Sequence, residues 1–228
     1  MKAILKSIRP QHINNILKGD KIIEVDKSAP KEWKDYLSGK TTEKPQPREV
    51  LIYATKNGKF LVQEKQYKDY SKVEYELENA DEIKGVNANR ILNGKVVAKF
   101  TLNRVETIDD CYTMEHINNK YPDTYELGDI MEEELLKMCC LTKEEMNFYY
   151  NGKLLYAWHI DNLVVFDKPK ELREFYGAFT QKRYEHIFGN NAVELDEEYG
   201  GLRQPTKSGY EYKYPLTRAP QSWCYIEV

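Results

Sequence analysis

The sequence contains no long apolar run. Nowhere in its 228 residues does a stretch approach the roughly 20 apolar residues that a membrane-spanning helix needs. The first residues, 1–6, read MKAILK and lack the apolar core of a secretory signal peptide. These two absences predict a protein without a membrane segment that resides in the cytoplasm.

The chain also lacks a basic excess. It has 34 lysines and arginines against 37 aspartates and glutamates, which gives a formal net charge of −3. Proteins that hold duplex nucleic acid mainly through its phosphates usually carry a clear surplus of basic residues. The charge balance therefore argues against long, non-specific duplex binding. It leaves open the binding of a small target, such as one base, a loop or a free nucleotide.

Cysteine is scarce, and its placement is unsuited to metal binding. The four cysteines are Cys111, Cys139, Cys140 and Cys224. None form a C-x-x-C pair, and the histidines show no ligand spacing either. We therefore predict reduced thiols, no structural zinc and no cofactor. The sequence also has no G-x-x-x-x-G-K-[ST] loop and no nucleophile elbow, which disfavours P-loop nucleotidases and serine hydrolases.

The first half of the chain alternates predicted strands with a helix. Arg9-Pro10 opens that helix, because proline is tolerated in a first turn, and Gly19 ends it. The Pro-rich stretch 30–47 is predicted to be a loop or a short irregular segment. Apolar runs and alternating polarity predict the strands. These strands are residues 1–8, 21–25 and 50–54.

The second half combines further strands with helices. Residues 127–141 have a helical pattern, and Thr142 begins a capping-box match that opens a second helix. A short helix is predicted over 167–176. Asn57-Gly58 is a strong turn signal and predicts a β-hairpin excursion. The predicted strands are residues 96–105, 154–160, 163–166 and 223–228.

This order of elements predicts an α+β fold around a small mixed β-barrel with flanking helices. We predict a single domain over residues 1–228. Two inserted segments are predicted, at 56–92 and at 177–214, the second because it has little periodicity. The strands expected to form one closed or nearly closed barrel are 1–8, 21–25, 50–54, 96–105 and 223–228.

The segment that follows the first predicted helix resembles the signature of the ASCH family, G-x-K-x-x-E-x-R. Gly19, Lys21 and Glu24 match the signature, whereas Asp26 stands where the signature has arginine. Three further stretches resemble one ASCH branch found in bacteria and their phages. They are AWHIDNL at 157–163, DKP at 167–169 and LTRAPQSWCY at 216–225.

The resemblance implies a PUA-like barrel with a cleft beside the first helix. It implies RNA, a modified base or a nucleotide as the ligand. Some ASCH relatives are enzymes, among them an amidohydrolase for acetylated cytidine and a ribonuclease. The amidohydrolases carry a threonine nucleophile where this chain has Glu24, so we do not expect that covalent mechanism here.

The signature residues have a physical interpretation of their own. Lys21 is a mobile cation suited to a phosphate or a carbonyl oxygen, and Glu24 can accept a hydrogen bond from a base amino group or pair with Lys21. The alternative is a solvated pair that adds little to stability. At position 26 an arginine would offer a bidentate fork, whereas Asp26 repels phosphate. Either Lys27 replaces that contact or the contact is lost.

Two other clusters are candidates for the ligand site. Trp158 and His159 are adjacent in a predicted strand and therefore face opposite sides. Trp158 is a core aromatic or a ligand contact, and His159 bonds either a ligand or a buried partner. Near the C terminus, arginine and glutamine can read base edges and tryptophan can stack, or else this turn caps the barrel with its tryptophan inside. That turn carries Arg218, Gln221, Ser222 and Trp223.

Three functional hypotheses follow. The preferred one is a module that binds a nucleic acid or nucleotide in a barrel cleft lined by Lys21, Glu24 and Arg218. The second is a hydrolase for a modified nucleoside or RNA, with Lys21 and Glu24 as acid–base groups. The third is a protein-interaction scaffold that uses tyrosine-rich insertions, since the chain has 18 tyrosines against 7 phenylalanines. The candidate binding residues are Arg9, Lys21, Glu24, Lys27, Trp158, His159, Arg218, Gln221, Ser222 and Trp223.

Overall fold

The structure is a computed structural model. It describes residues 2–56, 58–63, 75–79, 83, 86–108, 128–150, 152–180, 202–206 and 209–227. The helices in this part of the chain are α1 (Pro10–Lys18), α2 (Lys31–Leu37), α3 (Gly128–Cys139) and α4 (Lys143–Tyr150). Short 3-10 helices cover Ala88–Arg90 and Leu172–Glu174.

The strands of the described residues form three sheets. They are β1 (Lys2–Ile8), β2 (Ile23–Asp26), β3 (Arg48–Ala54), β4 (Phe60–Gln63), β5 (Tyr75–Glu78), β6 (Lys95–Leu102), β7 (Val105–Ile108), β8 (Leu155–His159), β9 (Asp161–Glu171), β10 (Tyr176–Thr180), β11 (Leu202–Thr206), β12 (Gly209–Pro215) and β13 (Trp223–Glu227). The eight-stranded sheet has the order β11-β12-β10-β13-β1-β3-β6-β9, the three-stranded sheet the order β2-β8-β7, and β4 pairs with β5.

The chain divides into two compact units. Unit 1 comprises Met1–Ile13, Glu49–Lys99 and Val164–Val228, and unit 2 comprises Asn14–Arg48 and Phe100–Leu163. Each unit has a hydrophobic core of its own.

Unit 1 is organised by β1, which lies between two partners. It pairs antiparallel with β13 and parallel with β3. Side chains of alternate positions on these strands point to one face. There they form a buried cluster with Phe175. The cluster consists of Ala3, Leu5, Leu51, Tyr53, Val96, Phe175 and Ile226.

The first and last strands belong to the same sheet, as expected of strands of one barrel, and β1 pairs directly with β13. β2 does not join them: it pairs with β8 in the three-stranded sheet. Within the described residues, the eight-stranded order ends at β11 and β9 without a closing pair. A closed PUA-like barrel therefore stays a prediction, while the mixed α+β class is what the structure has.

Unit 2 is a small sheet covered by helices. β8 pairs antiparallel with β2 on one side and with β7 on the other. Apolar side chains from all three strands and from the two helices α3 and α4 form its core. The buried members are Ile23, Val25, Ile108, Cys139, Met146, Leu155 and Ala157.

Several local predictions are confirmed at the residue level. α1 begins at Pro10 and ends at Lys18, and Gly19 follows with φ +81° in the left-handed region that a glycine tolerates. The capping box before α4 is present. Thr142 Oγ1 accepts from Glu145 N at 3.2 Å, and Glu145 Oε2 accepts from Thr142 N at 2.9 Å.

Two local predictions in the first half of the chain are wrong. The loop predicted over 30–47 contains α2, whose Trp33 is buried and provides the apolar anchor for this short helix. The single strand predicted over 96–105 is two strands, because the chain leaves the ladder at residues 103–104 and β7 joins another sheet. Leu102 and Val105 are both buried, so the apolar pattern gave no sign of this break.

The helix predicted over 167–176 is also wrong. β9 runs on to Glu171, and only Leu172–Glu174 are helical, as a 3-10 turn. Pro169 is compatible with this strand because β9 is the last strand of its sheet, where a missing backbone donor is tolerated. The segment 177–214 contributes β11, β12 and most of β10, although its sequence has little periodicity. Residues 181–201 lie outside the described part of the chain.

No helix of the described residues is long and apolar enough to cross a membrane.

Candidate functional site

The polar side chains of the three-stranded sheet in unit 2 lie on two opposite faces. Glu24 on β2 lies opposite Trp158 on β8, and Val105 on β7 lies opposite Trp158 on the other side. Paired residues of antiparallel strands share a face, and their neighbours point the other way. His159 and Glu106 therefore belong to the opposite face from Glu24 and Trp158.

Lys21 is a buried residue that is held in place. Its side chain is only 2% exposed, and its Nζ donates to the carbonyl oxygen of Cys139 at 2.6 Å, at the last residue of α3. A cation at the carboxyl end of a helix is stabilised by the backbone carbonyls there. The expectation of a mobile, exposed Lys21 is therefore wrong, since the ammonium fixes the end of α3.

Glu24 is the second half of this buried pair. The residue is 8% exposed, and its Oε2 lies 3.3 Å from Lys21 Nζ. The same oxygen has no hydrogen-bond partner. The ion-pair distance and the missing hydrogen bond are compatible, because the ammonium attracts the carboxylate without directing an N–H at this oxygen. Of the two roles given to Glu24, the structure has the pairing with Lys21, and the pair is buried and not solvated.

The position that departs from the family signature is also buried. Asp26 is 5% exposed, and its Oδ1 accepts from Ser28 N at 3.0 Å. This bond shapes the turn after β2. Lys27 is exposed and its ammonium lies 4.6 Å from the centroid of the Tyr149 ring, a cation–π distance. Its proposed role as a phosphate contact is not tested by this geometry.

Trp158 is a core residue. Its side chain is fully buried, and its indole Nε1 donates to Ser28 O at 3.1 Å. A buried indole normally finds such a partner. Of the two interpretations given to Trp158, the structure supports the core aromatic over an exposed stacking surface.

His159 forms a dyad with a carboxylate that the sequence reasoning missed. Its Nε2 lies 2.7 Å from Glu106 Oε2, and Arg104 Nη2 donates to Glu106 Oε1 at 2.7 Å. Burial acts to raise the pKa of Glu106, but the hydrogen bonds from His159 and Arg104 outweigh it and lower that pKa to about 2. Glu106 is thus an ionised acceptor near neutral pH, and His159 Nε2 must be the donor.

This arrangement leaves the other ring nitrogen available. The imidazole side chain is 18% exposed, and Nδ1 has no partner among the described residues. In the tautomer fixed by Glu106, Nδ1 carries a lone pair. An imidazole oriented by a carboxylate can accept a proton or a hydrogen bond from a ligand. No sequence signal connected Glu106 with His159, because the pairing of β7 with β8 joins distant parts of the chain.

Acidic pH should destabilise the folded protein, because it protonates the Glu106 carboxylate. Because the pKa of this carboxyl is lowered from 4.5 to about 2, its contribution to stability is present above about pH 4.5 and is lost as the pH falls towards 2. We expect the free energy of unfolding to fall more for the parent than for Glu106→Gln over that range. Urea unfolding of both proteins at about pH 5 and about pH 2.5 measures this. Equal losses in the two proteins would contradict the lowered pKa.

The buried cysteine of this region is not a reactive thiol. Burial raises the pKa of Cys139 to about 12, so the sulfur stays protonated and is a poor nucleophile. Its carbonyl, and not its sulfur, contacts Lys21. In the part of the chain that the structure describes, no group of three or more histidine, cysteine, aspartate or glutamate side chains is placed to hold a metal ion.

The remaining candidates belong to unit 1. Arg9, Arg218 and Gln221 are exposed, and none of them has a hydrogen bond or ion pair from its side chain to a described residue. Ser222 and Trp223 are partly buried, and the Trp223 ring lies edge-on to Tyr225 with centroids 5.7 Å apart. The prediction that Arg218 shares a cleft with Lys21 and Glu24 stays a prediction.

The turn that carries Arg218 is tied to the end of β1. Ser7 N donates to Ser222 O at 2.7 Å, and Ser7 Oγ donates to Pro220 O at 2.7 Å. Arg9 follows two residues after Ser7, and its carbonyl accepts the first backbone bonds of α1. Ser7 therefore connects the turn that bears Arg218 to the end of β1, two residues before Arg9 in the chain.

Comparison with known proteins gives a family likeness at low similarity. No protein-family model matches the chain, and no curated protein matches it. The chain is similar to crystal structures of the ASCH protein of Zymomonas mobilis. A serine-to-alanine variant is 12% identical, with a TM-score of 0.42, over 99% of this chain and 88% of that chain. The protein without that substitution is 11% identical, with a TM-score of 0.39, over 99% and 87%.

A tyrosine-to-phenylalanine variant of the same protein is 12% identical, with a TM-score of 0.36, over 83% of this chain and 84% of that chain. At TM-scores below 0.5, neither a site nor an activity of that protein carries over to this chain.

Proposed function

We propose that the protein binds a nucleic acid or a nucleotide, with RNA or a modified base as the ligand class. The observation that carries the proposal is the arginine surface of unit 1, which we define as Arg9, Arg218 and Gln221. These side chains are exposed and have no partner among the described residues. Arginine without a protein carboxylate is available for a phosphate, which its planar fork binds in a bidentate manner.

The backbone around this surface supports anion binding. α1 begins directly after Arg9 and has no acidic residue in its first turn. The amino end of a helix carries a partial positive charge that favours phosphate. The turn of Arg218 is held by the two bonds from Ser7. A ligand therefore meets donors whose supporting backbone is already ordered, which lowers the entropic cost of binding.

The ligand class follows from the small size and mixed chemistry of the surface. The chain as a whole has a net charge of −3, and long duplexes are bound by many phosphate contacts. Two arginines suit one or two phosphates. The Gln221 amide can read a base edge through a donor and an acceptor. Single-stranded RNA, free nucleotides and modified nucleosides are therefore favoured over duplex DNA.

Replacing Arg218 should weaken binding without affecting folding. A hydrogen bond to a charged group contributes about 1.5–3 kcal/mol, so Arg218→Ala is expected to lose at least about tenfold in affinity. The melting temperature should stay near that of the parent, because Arg218 is exposed. Fluorescence anisotropy with labelled single-stranded RNA, and calorimetry with nucleotides and modified nucleosides, measure the affinities.

Arg173→Ala is the matched control. It removes the same charge from an exposed arginine on the 3-10 helix of the same unit. We expect this variant to bind as the parent does. Equal weakening in both variants would show a general charge effect, and unchanged binding by Arg218→Ala would place the ligand elsewhere.

A hydrolase acting on a modified nucleoside or RNA is the second candidate function, and one observation favours it. The His159–Glu106 dyad presents Nδ1 as a proton acceptor on a partly exposed ring. Lys21 and Glu24 suit this role less well, since both are buried and face each other. Turnover of acetylated cytidine or single-stranded RNA that is retained in the parent and lost in His159→Gln would support this candidate.

A further inference from the structure

Four neighbouring strands of unit 1 have a terminus at the same end of the eight-stranded sheet. β1 and β3 run parallel with Ile8 beside Ala54, so both strands finish there. β13 starts there, because Ser222 O, directly before this strand, accepts from Ser7 N at 2.7 Å. β6 also starts there, because Gly94 N donates to Ala54 O at 2.7 Å. The four strands are adjacent, in the order β13, β1, β3 and β6.

Each of these four strand termini carries one basic residue. We call the set the basic row; in the order of the strands, it consists of Arg218, Arg9, Lys56 and Lys95. Both arginines and Lys56 are exposed, and Lys95 is half-buried. None of the four side chains has a hydrogen bond or an ion pair with another residue that the structure describes. Their charges are therefore available to a ligand.

The segments that bear the basic row contain no acidic residue. They are residues 7–12, 54–59, 92–95 and 216–222. Charges of both signs occur at the opposite ends of the same strands, where Lys2 opens β1, Glu49 is the second residue of β3 and Glu227 closes β13. The chain as a whole has more acidic than basic residues. The positive charge is thus a local property of one end of the sheet, which the composition does not explain.

The Lys56 side chain reaches from one strand to the next. Gly94 has φ +86°, and a Cβ atom added to it would lie 2.9 Å from Lys56 Cε. The lysine stem therefore crosses the backbone directly before Lys95, where only a glycine leaves room. Asn93 fixes this turn, because its Nδ2 donates to Thr55 O at 3.2 Å. Two like charges at neighbouring strand termini repel each other, and a bound anion relieves that repulsion.

We propose that the basic row binds the backbone of single-stranded RNA, so that the ligand is an oligonucleotide of several residues and not a free nucleotide. This inference rests on the proposed function, since Arg9 and Arg218 belong to both surfaces. Neighbouring strands lie about 4.8 Å apart, so four adjacent termini span about 14 Å. A stacked strand rises about 3.4 Å per nucleotide, which places about four phosphates along that length.

The chemistry of the row favours a nucleic acid over an acidic protein segment. Every nucleotide carries a phosphate, and each phosphate offers several charged oxygens to an arginine fork or an ammonium. In an extended acidic peptide, successive carboxylates point to opposite sides, so only alternate residues face the row. Gln221 is exposed and lies three residues after Arg218. Its amide can bond a base edge, which a peptide does not offer.

Uridine monophosphate and oligouridylates of about two, four and eight nucleotides are the probes, and calorimetry with the full chain measures their affinities. The parent is expected to bind the strand of about four nucleotides at least about tenfold more tightly than the monophosphate, because more phosphates meet the row. Lengthening the strand to about eight nucleotides should add less than about threefold, because the row spans only about four phosphates.

Lys56→Gln/Lys95→Gln tests the part of the row that the arginine surface does not include. This variant is expected to bind the strand of about four nucleotides at least about threefold more weakly than the parent, because two phosphate contacts are lost. The slope of log affinity against log salt concentration should be smaller by about 1.4. Its affinity for uridine monophosphate should equal that of the parent, since one phosphate is held by the arginines.

Lys2→Gln/Lys170→Gln is the matched control. Lys2 opens β1 at the opposite end of the sheet, and Lys170 lines a pocket with Glu49 and Glu227, which also belong to that end. Both lysines are exposed, and this variant should bind every probe as the parent does. Equal weakening in the two double variants would show a general charge effect and overturn the proposal.

The remaining outcomes separate this proposal from the proposed function. If Arg218→Ala weakens binding but Lys56→Gln/Lys95→Gln binds every length as the parent does, the arginine surface stands and the basic row is overturned. A parent that binds neither the monophosphate nor any oligouridylate would overturn both. Polyglutamate that binds as tightly as an oligouridylate of equal charge would identify a surface for acidic partners in general, and the assignment to RNA would be wrong.

Discussion

Replacing Lys21 by methionine is expected to lower the free energy of unfolding by about 3–5 kcal/mol, the range for breaking a buried ion pair by removing one partner. The change leaves the Glu24 carboxylate buried at 8% exposure without its cation. It also leaves the carbonyl of Cys139 without the donor that lies 2.6 Å away. Methionine fills a similar volume, so the loss reports the charge and the hydrogen bond more than a cavity.

Urea unfolding followed by circular dichroism measures this loss. Lys31→Met is the control, because Lys31 is 86% exposed and lies 4.0 Å from Asp35; it should cost no more than about 0.5 kcal/mol. Adding Glu24→Gln to Lys21→Met should recover part of the loss, since no uncompensated charge then remains. A Lys21→Met protein as stable as the parent would show that Lys21 is solvated, as an exposed-charge interpretation requires.

Trp158→Ala is expected to cost about 3–5 kcal/mol, as large-to-small substitutions of core aromatics do. The indole is fully buried and lies between Glu24 on β2 and Val105 on β7 in the register of the sheet. Its removal leaves a cavity at the centre of a sheet of only three strands. Few neighbours are available to collapse into that space, which places the expected cost towards the upper part of the range.

Trp158→Phe separates the hydrogen bond from the packing. Phenylalanine keeps much of the apolar area but leaves Ser28 O without the indole donor at 3.1 Å, so a smaller loss of about 1–3 kcal/mol is expected. Chemical denaturation of the two variants and the parent gives both values. Losses below about 1 kcal/mol for Trp158→Ala would contradict a core position and favour a stacking role at a surface.

Strands and helices that have a clear local sequence pattern could be predicted. Which strand pairs with which could not. Alternating polarity predicted β1, and the capping box at Thr142 predicted the start of α4. The break between β6 and β7 could not be seen, because apolar residues continue across it. β11 and β12 have no clear pattern in the sequence. They form a local hairpin, and the pairing that joins this hairpin to the sheet, that of β12 with β10, is long-range. Such tertiary pairing overrides local propensity.

Candidate residues could be named from the sequence, whereas their environment could not. The family signature pointed to Lys21 and Glu24, and their pairing was one of the alternatives, but burial is a property of the packed unit and not of the spacing. The sequence also gave no reason to connect His159 with Glu106, which lies 53 positions away in the chain. The exposure of Arg218 agrees with its assignment to a Pro-containing turn.

The measurement that most directly tests the proposed function is the salt dependence of RNA binding by Arg9→Gln/Arg218→Gln. Each phosphate contact to a single strand contributes about 0.7 to the slope of log affinity against log salt concentration. The double variant is therefore expected to bind labelled single-stranded RNA more weakly than the parent, with a slope smaller by about 1.4. An unchanged affinity and slope, or a parent that binds neither RNA nor any nucleotide, would contradict the proposal that the arginine surface holds phosphates.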